Sequence, residues 1–196
     1  MCPTDWNLPV PLSGVDVHET NWSGTAALHY AAEQGNHAVV KLLLQKGAGV
    51  NVRTNEGMTP LHEASAGGHT EIVFTLLDTG AMQLKTRNGT TPLHSATEGG
   101  HDDVVQALLD TGAEVHATTK SGNTPLHLAS WDGNGTIVQM LLDKGTDVNV
   151  GKVKRRATPL HCAASGTESS YSRLRQSAGS NAVTWLQVAT TQWSRC

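Results

Sequence analysis

One dipeptide recurs along this 196-residue chain at a nearly constant interval, and that interval restricts its possible folds more than any other feature. Leu-His occurs at Leu28-His29, Leu61-His62, Leu93-His94, Leu126-His127 and Leu160-His161, so the histidines stand 33, 32, 33 and 34 residues apart. From the second copy on, the motif reads Thr-Pro-Leu-His, beginning at Thr59, Thr91, Thr124 and Thr158; the first copy reads Ala26-Ala27-Leu28-His29. Glycines follow each of the first four histidines in register, first at Gly35, Gly68, Gly100 and Gly133, then at Gly47, Gly80, Gly112 and Gly145. Between them lie Val39-Val40, Ile72-Val73, Val104-Val105 and Ile137-Val138, each followed by a leucine pair, as at Leu76-Leu77. A period of roughly 20–50 residues marks a stack of small supersecondary units.

Each recurring residue type has a physical role. Threonine accepts a backbone N–H bond at a helix start, and proline is pre-set for the first helical position. Thr-Pro therefore opens a helix. Leu28, Ala31 and Ala32 then fall on one helical face, with alanines small enough for a neighbouring helix to approach closely. The next glycine supplies the left-handed conformation that ends the helix. Ile72, Val73, Leu76 and Leu77 form one face of a second helix, and a second glycine closes it. About ten loop residues follow, with Gly57, Gly89 and Gly122 just before the next cap. A single helix pair cannot bury its apolar face, whereas a stack can, so the pattern predicts a solenoid.

This unit resembles the ankyrin repeat, with its Thr-Pro-Leu-His-x-Ala signature. The segments GNTPLHLAS and LLLQKGAGVNV carry the likeness, which extends over residues 14–166. The resemblance implies an all-α α-solenoid of helix pairs with β-hairpin or loop fingers. It also implies partner binding along the finger tips and the concave helix face.

The pattern divides the chain into an irregular segment 1–13, repeats over 14–166 and an irregular or disordered tail 167–196. Within the array, 14–23 is a partial finger, 24–150 holds about four full repeats and 151–166 is half a repeat. Pro3, Pro9 and Pro11 prevent the first segment from forming the missing helix pair, while Leu8, Val10 and Leu12 can cover part of its apolar face. The tail is read as an unusual cap, as disorder, or as an out-of-frame remnant of further repeats. Incomplete ends predict modest stability, fraying at 1–20 and beyond 166, and weak self-association. The spacing of 32 places a deletion near Gln83–Arg87 that distorts one finger, and the spacing of 34 places an insertion near Gly151–Arg156.

The chain is 38% apolar and 16% charged, which favours a folded protein over a disordered one. Its net charge of −3 gives no general attraction to nucleic acid or anionic membrane. Cys2, Cys162 and Cys196 are too dispersed for a disulfide framework or a metal-ligand spacing, which suits a reducing compartment. No stretch approaches the roughly 18 apolar residues of a membrane span. The expected location is intracellular and cytoplasmic. Lys152-Val153-Lys154-Arg155-Arg156 is a candidate nuclear-import signal, and the alternative to a solvated loop there.

Catalytic patterns are not found. Ten histidines invite a metal reading. The five marker histidines, however, recur once per repeat, at a helix separation near 9 Å, whereas zinc holds its ligands at about 2 Å. The resemblance implies that they bond backbone between repeats. His37, His69 and His101 are expected to start second helices and act as surface caps. Asp102 and Asp103 are adjacent on a helix and point apart, so they make a poor acid–base pair. The reading is therefore no enzyme, no cofactor, no metal and no small-molecule substrate.

The functional expectation is a non-catalytic protein–protein interaction module or scaffold. By the resemblance, residues one, four and five after each marker histidine face the concave side. They are Tyr30, Glu33 and Gln34; Glu63, Ala66 and Gly67; Ser95, Glu98 and Gly99; Leu128, Trp131 and Asp132. This face has an aromatic at each end and acidic residues between, which suits a partner segment with basic and apolar side chains. The finger tips supply a second contact set: Trp22, Asn55, Glu56, Arg87, Asn88, Lys120 and Ser121. The rival readings are a fragment or accessory of a larger signalling or enzymatic protein and a nuclear transcriptional co-regulator.

Overall fold

The computed structural model describes residues 16–151 and 158–165. Expectations about 1–15, the basic run Lys152–Arg156, the insertion beside it and the tail from 166 lie outside the described residues.

Among the described residues the chain forms nine helices: α1 Ala27–Glu33, α2 His37–Gln45, α3 Pro60–Ala66, α4 Thr70–Asp78, α5 Pro92–Gly99, α6 Asp102–Asp110, α7 Pro125–Asp132, α8 Gly135–Asp143 and α9 Pro159–Ser165. Odd-numbered helices begin at the recurring motif, and even-numbered helices carry the Val/Ile–Leu pattern. Each odd helix packs on the next odd helix, each even helix on the next even one, and each pair packs within itself. That is the expected all-α solenoid.

Local chemistry sets the boundaries. Thr91 and Thr124 are extended N-caps whose side chains accept from the backbone N–H of His94 and His127. Proline occupies the first helical position of α3, α5 and α7. The turns after α1, α3, α5 and α7 need a positive φ, which Gly35, Gly68, Gly100 and Gly133 supply at 71–75°. Their lack of a Cβ removes the steric penalty of that conformation.

Leu28, Leu61, Leu93 and Leu126 are completely buried, and Ala32, Ala64, Ala96 and Ala129 lie between stacked helices. The even helices bury Val40, Val73, Val105 and Val138 at one register and Leu76, Leu108 and Leu141 at another. The core is thus a continuous strip along the stack rather than a sphere.

The fingers differ from the hairpin form. Each tip is a tight turn closed across five residues, as in Thr54 N–H to Met58 C=O (2.9 Å), Thr86 to Thr90 (2.8 Å) and Thr119 to Asn123 (3.0 Å). Neighbouring tips join by single backbone bonds, Asn55 N–H to Ser23 C=O, Arg87 to Glu56 and Lys120 to Asn88. The one ladder contact among the described residues is the isolated bridge Thr20–Ala26, so loops rather than β-strands form the fingers. The deletion near Gln83 acts locally. Other loops place a turn there, Val52 N–H to Gly49 C=O or Ala117 to Glu114, whereas this one has only a tight Leu84-to-Met82 bond. Its tip is otherwise like the rest.

Candidate protein-interaction surface

The marker histidines fix the geometry of the inner helices. His62 Nδ1 accepts from the backbone N–H of its own cap residue, Thr59, at 3.2 Å, and Nε2 donates to Thr90 C=O of the next repeat at 3.2 Å. His29 joins Ala26 to Met58, and His94 joins Thr91 to Asn123, in the same way. These contacts require a neutral ring with its proton on Nε2. The rings are buried, which disfavours the cation. Burial holds the pKa of His29 and His94 below its ordinary value and lowers that of His62 to about 4.

The second histidine set departs from expectation. His37 begins α2, but His69 and His101 sit one position earlier in register, as N-caps of α4 and α6, and none makes a side-chain cap bond. His69 and His101 instead reach back to the preceding repeat, and His37 reaches forward to the next. His69 Nε2 binds Glu33 C=O and His101 Nε2 binds Ala66 C=O, both at 2.9 Å, while His37 meets Thr75 Oγ1 at 2.9 Å and the Glu71 carboxylate at 3.1 Å. For His69 and His101 the acceptor is a spare carbonyl at the C-terminus of the preceding inner helix, which lacks an intrahelical partner. Among the described residues no three His, Cys, Asp or Glu side chains are placed to hold a metal ion.

With the framework groups committed, a distinct set remains on the open side. Tyr30 and Trp131 are half exposed, at 51% and 50%. Glu33, Glu98 and Asp132 are exposed, and Glu63 and Leu128 are half-buried. Ser95 is only 7% exposed and belongs to the packed layer rather than the face. Tyr30 Oη accepts from Asn21 Nδ2 at 3.1 Å, which steadies the ring against the first finger. Trp22 projects from that finger at 92% exposure, while its carbonyl accepts from Asn55 Nδ2 at 3.0 Å.

The four carboxylates on this face have no hydrogen-bond or ion-pair partner among the described residues. The ion pairs lie elsewhere: His37–Glu71, Lys85–Glu114 and Lys144–Asp110. Partial burial raises the pKa of Glu63 and of Asp132, and the charge of Glu33 adds to the first effect as Glu98 adds to the second. The acids therefore act as two pairs, each spanning adjacent repeats. Arg87 and Lys120, on the fingers opposite, are exposed and likewise hold no carboxylate.

Two clefts run between fingers and inner helices. One, of about 350 Å³, is bounded by Asn88, Thr90, Glu98, Lys120 and Asn123. The other, of about 360 Å³, is bounded by Glu98, Asn123, Leu128, Trp131 and Asp132. They share Glu98, Asn123 and Leu128 and form one trough. The expected residues Glu98, Leu128, Trp131, Asp132 and Lys120 are thereby brought together. Tyr30, Glu33, Glu63, Trp22, Asn55, Glu56 and Arg87 lie outside both clefts. Thr90 and Asn123 line the trough without having been anticipated. Their signal is positional, because each immediately precedes the cap residue and so faces the marker histidine of the repeat before it.

A family model described as ankyrin repeats (3 copies) matches residues 7–84, 81–152 and 117–184. Inversin from Canis lupus familiaris is 45% identical over 53 residues, which is 27% of this chain and 5% of that protein. A transient receptor potential cation channel subfamily A member 1 homolog from Caenorhabditis elegans is 60% identical over 38 residues, 19% of this chain and 3% of that one. Protein phosphatase 1 regulatory subunit 12A from Mus musculus is 51% identical over 43 residues, 22% of this chain and 4% of that protein. The aligned segments thus span only a small part of these relatives. With the repeat framework, the helix stack and the matched residues in agreement, the chain belongs to the ankyrin-repeat family.

Proposed function

We propose that this solenoid is a non-catalytic binding module that holds a partner protein segment in the trough between its inner helices and fingers. Ankyrin repeats are a protein–protein interaction fold. The observation that carries the finer reading is the unpaired acidic row Glu33, Glu63, Glu98 and Asp132, set between Tyr30 and Trp131. Folding leaves these charges without partners, and Glu63 and Asp132 are partly desolvated as well. A cationic segment relieves both costs and covers the exposed aromatics. Lys120 on the trough and Arg87 on the neighbouring finger suit acidic or polar groups on the segment's other edge, which fixes its orientation.

Site-specific photo-crosslinking tests this. Crosslinkers at Tyr30 and Trp131 are expected to capture one shared partner, and those at Lys41 and Gln106 on the outer helices are not. Capture of that partner only from the outer helices overturns the reading.

A further inference from the structure

We propose that the cleft bounded by Glu98, Leu128, Trp131 and Asp132 is an arginine-binding subsite, in which a partner's guanidinium lies on the Trp131 indole and bridges the two carboxylates. This deepens the function proposed above and rests on it.

Position supplies the first argument. Glu98 stands in the last turn of α5, and Asp132 is the last residue of α7. Helix C-termini carry partial negative charge, so an acid there is held against the local field and against its neighbour. No described side chain neutralises either one. The carboxylates come from adjacent repeats and open into one cleft of about 360 Å³, so a single cation reaches both.

The shape of that cation follows from the other walls. Trp131 offers a half-exposed indole, and half-buried Leu128 can cover the methylenes of a long side chain. An ammonium is a compact, strongly hydrated charge. A guanidinium is planar and more weakly hydrated, stacks on indole and presents donors to two carboxylates at once. A metal ion fits poorly, since the third candidate ligand, His127, already accepts from Thr124 N–H at 3.2 Å. Among the described residues no three-ligand cluster exists.

The first two repeats repeat the theme. Glu33 is the last residue of α1, Glu63 lies on α3, and Tyr30 is the half-exposed aromatic on α1. The floor between the two stations includes Ala66, Gly67 and Gly99, with little side chain to obstruct a bound strand. Two repeats at roughly 10 Å each separate the stations by about 20 Å. An extended chain covers that distance in about six residues. The partner segment therefore carries arginine at Trp131 and a second basic residue about six positions away.

Three acetylated, amidated peptides test this with the full chain: Arg and Arg separated by five Gly/Ser residues, the same with both arginines replaced by lysine, and the same with one arginine replaced by serine. Binding is followed by NMR through the Trp131 indole N–H, assigned with Trp131→Phe, and through backbone amides. The two-arginine peptide is expected to move the indole signal and to bind about three- to five-fold tighter than either control. Glu98→Gln with Asp132→Asn is expected to abolish the arginine preference. Equal affinity for the arginine and lysine peptides at the concave amides overturns the subsite while sparing the binding face. Movement confined to the outer helices overturns both. No movement at millimolar peptide overturns the subsite, while the crosslinking result still decides the broader reading.

Discussion

The first and third repeats carry the same sequence framework and are not equally buried. In α6, Val104 and Leu108 are fully buried and Ala107 and Leu109 nearly so. At the same register in α2, Val39 is 44% exposed, Leu42 is 52% exposed and Leu43 is half-buried. Sequence periodicity assigns both sets to an apolar face. Neighbours decide what that face gains, because α6 is packed by both α4 and α8, whereas among the described even-numbered helices only α4 packs on α2. In a solenoid, burial is a property of the interface between repeats more than of the repeat itself.

Replacing equivalent leucines sharpens this contrast most. Leu108→Ala is expected to cost about 3–4 kcal/mol, the transfer term plus a cavity that close packing cannot collapse. Leu43→Ala should cost roughly half as much, since solvent already reaches that site. Urea unfolding monitored by circular dichroism checks the pair. Equal losses would show that the first repeat is packed as tightly as the third.

The histidine ladder comes next, because it joins repeats that differ in apolar burial. His62 has a folded pKa of about 4 against an ordinary value of 6.5. The unfolded chain therefore takes up the proton first as pH falls. Stability from this group is complete above 6.5, declines below it and levels off below 4, with a total change of about 3 kcal/mol. His29 and His94 are shifted in the same direction and add to the loss. Glu63 and Asp132 have raised pKa values and work in the opposite sense, gaining relative stability on protonation. The urea midpoint should fall between pH 6.5 and 4. His62→Leu should lower it at neutral pH, by leaving Thr59 N–H unpaired and Thr90 C=O with only its bond from Thr86 N–H, and should flatten the acid slope. An unchanged slope would remove His62 from the account.

Glycine reverses the order of the two repeats. Gly35 and Gly100 share a φ near 72°. A Cβ at Gly35 would lie 2.6 Å from His69 Cε1, inside the ring that binds Glu33 C=O, whereas at Gly100 the nearest neighbour is Asn134 Nδ2 at 3.6 Å. Gly35→Ala should therefore cost about 2–3 kcal/mol, combining the backbone penalty with a displaced inter-repeat hydrogen bond, and Gly100→Ala about 1 kcal/mol. Thermal unfolding of the two variants would separate the effects. Similar losses would mean that the His69 ring yields freely.

These contrasts show what the sequence makes legible. Framework positions could be read because Leu28, Leu61, Leu93 and Leu126 meet the same surroundings in every repeat, so one physical argument covers all of them. The contacts of the second histidine set could not. Whether His69 caps α4 or reaches Glu33 C=O depends on the distance between repeats, which composition and period do not encode. The interaction face lies between these cases. Trp131, Glu98 and Asp132 could be placed on one side from helical register, but their meeting in one cleft with Asn123 depends on how far each finger leans over its helices.

The smallest predicted effect concerns the start of the first repeat, which lacks the Thr-Pro found at the third. Ala26 is an extended N-cap with no side-chain bond, and its 2% exposure resembles that of Thr91 at 4%. The equivalent site thus accommodates threonine in the third repeat. Threonine at the cap adds a side-chain acceptor for the His29 N–H, which with alanine bonds only the Ala26 carbonyl, and proline at position 27 removes unfolded-state freedom without losing an intrahelical bond. Ala26→Thr combined with Ala27→Pro should therefore add about 1 kcal/mol. Hydrogen exchange would locate the gain. Slower exchange confined to α1 and α2 would mean that the first repeat opens on its own, and equal slowing through α5 and α6 would mean that the interface between repeats one and two couples its opening to the whole stack.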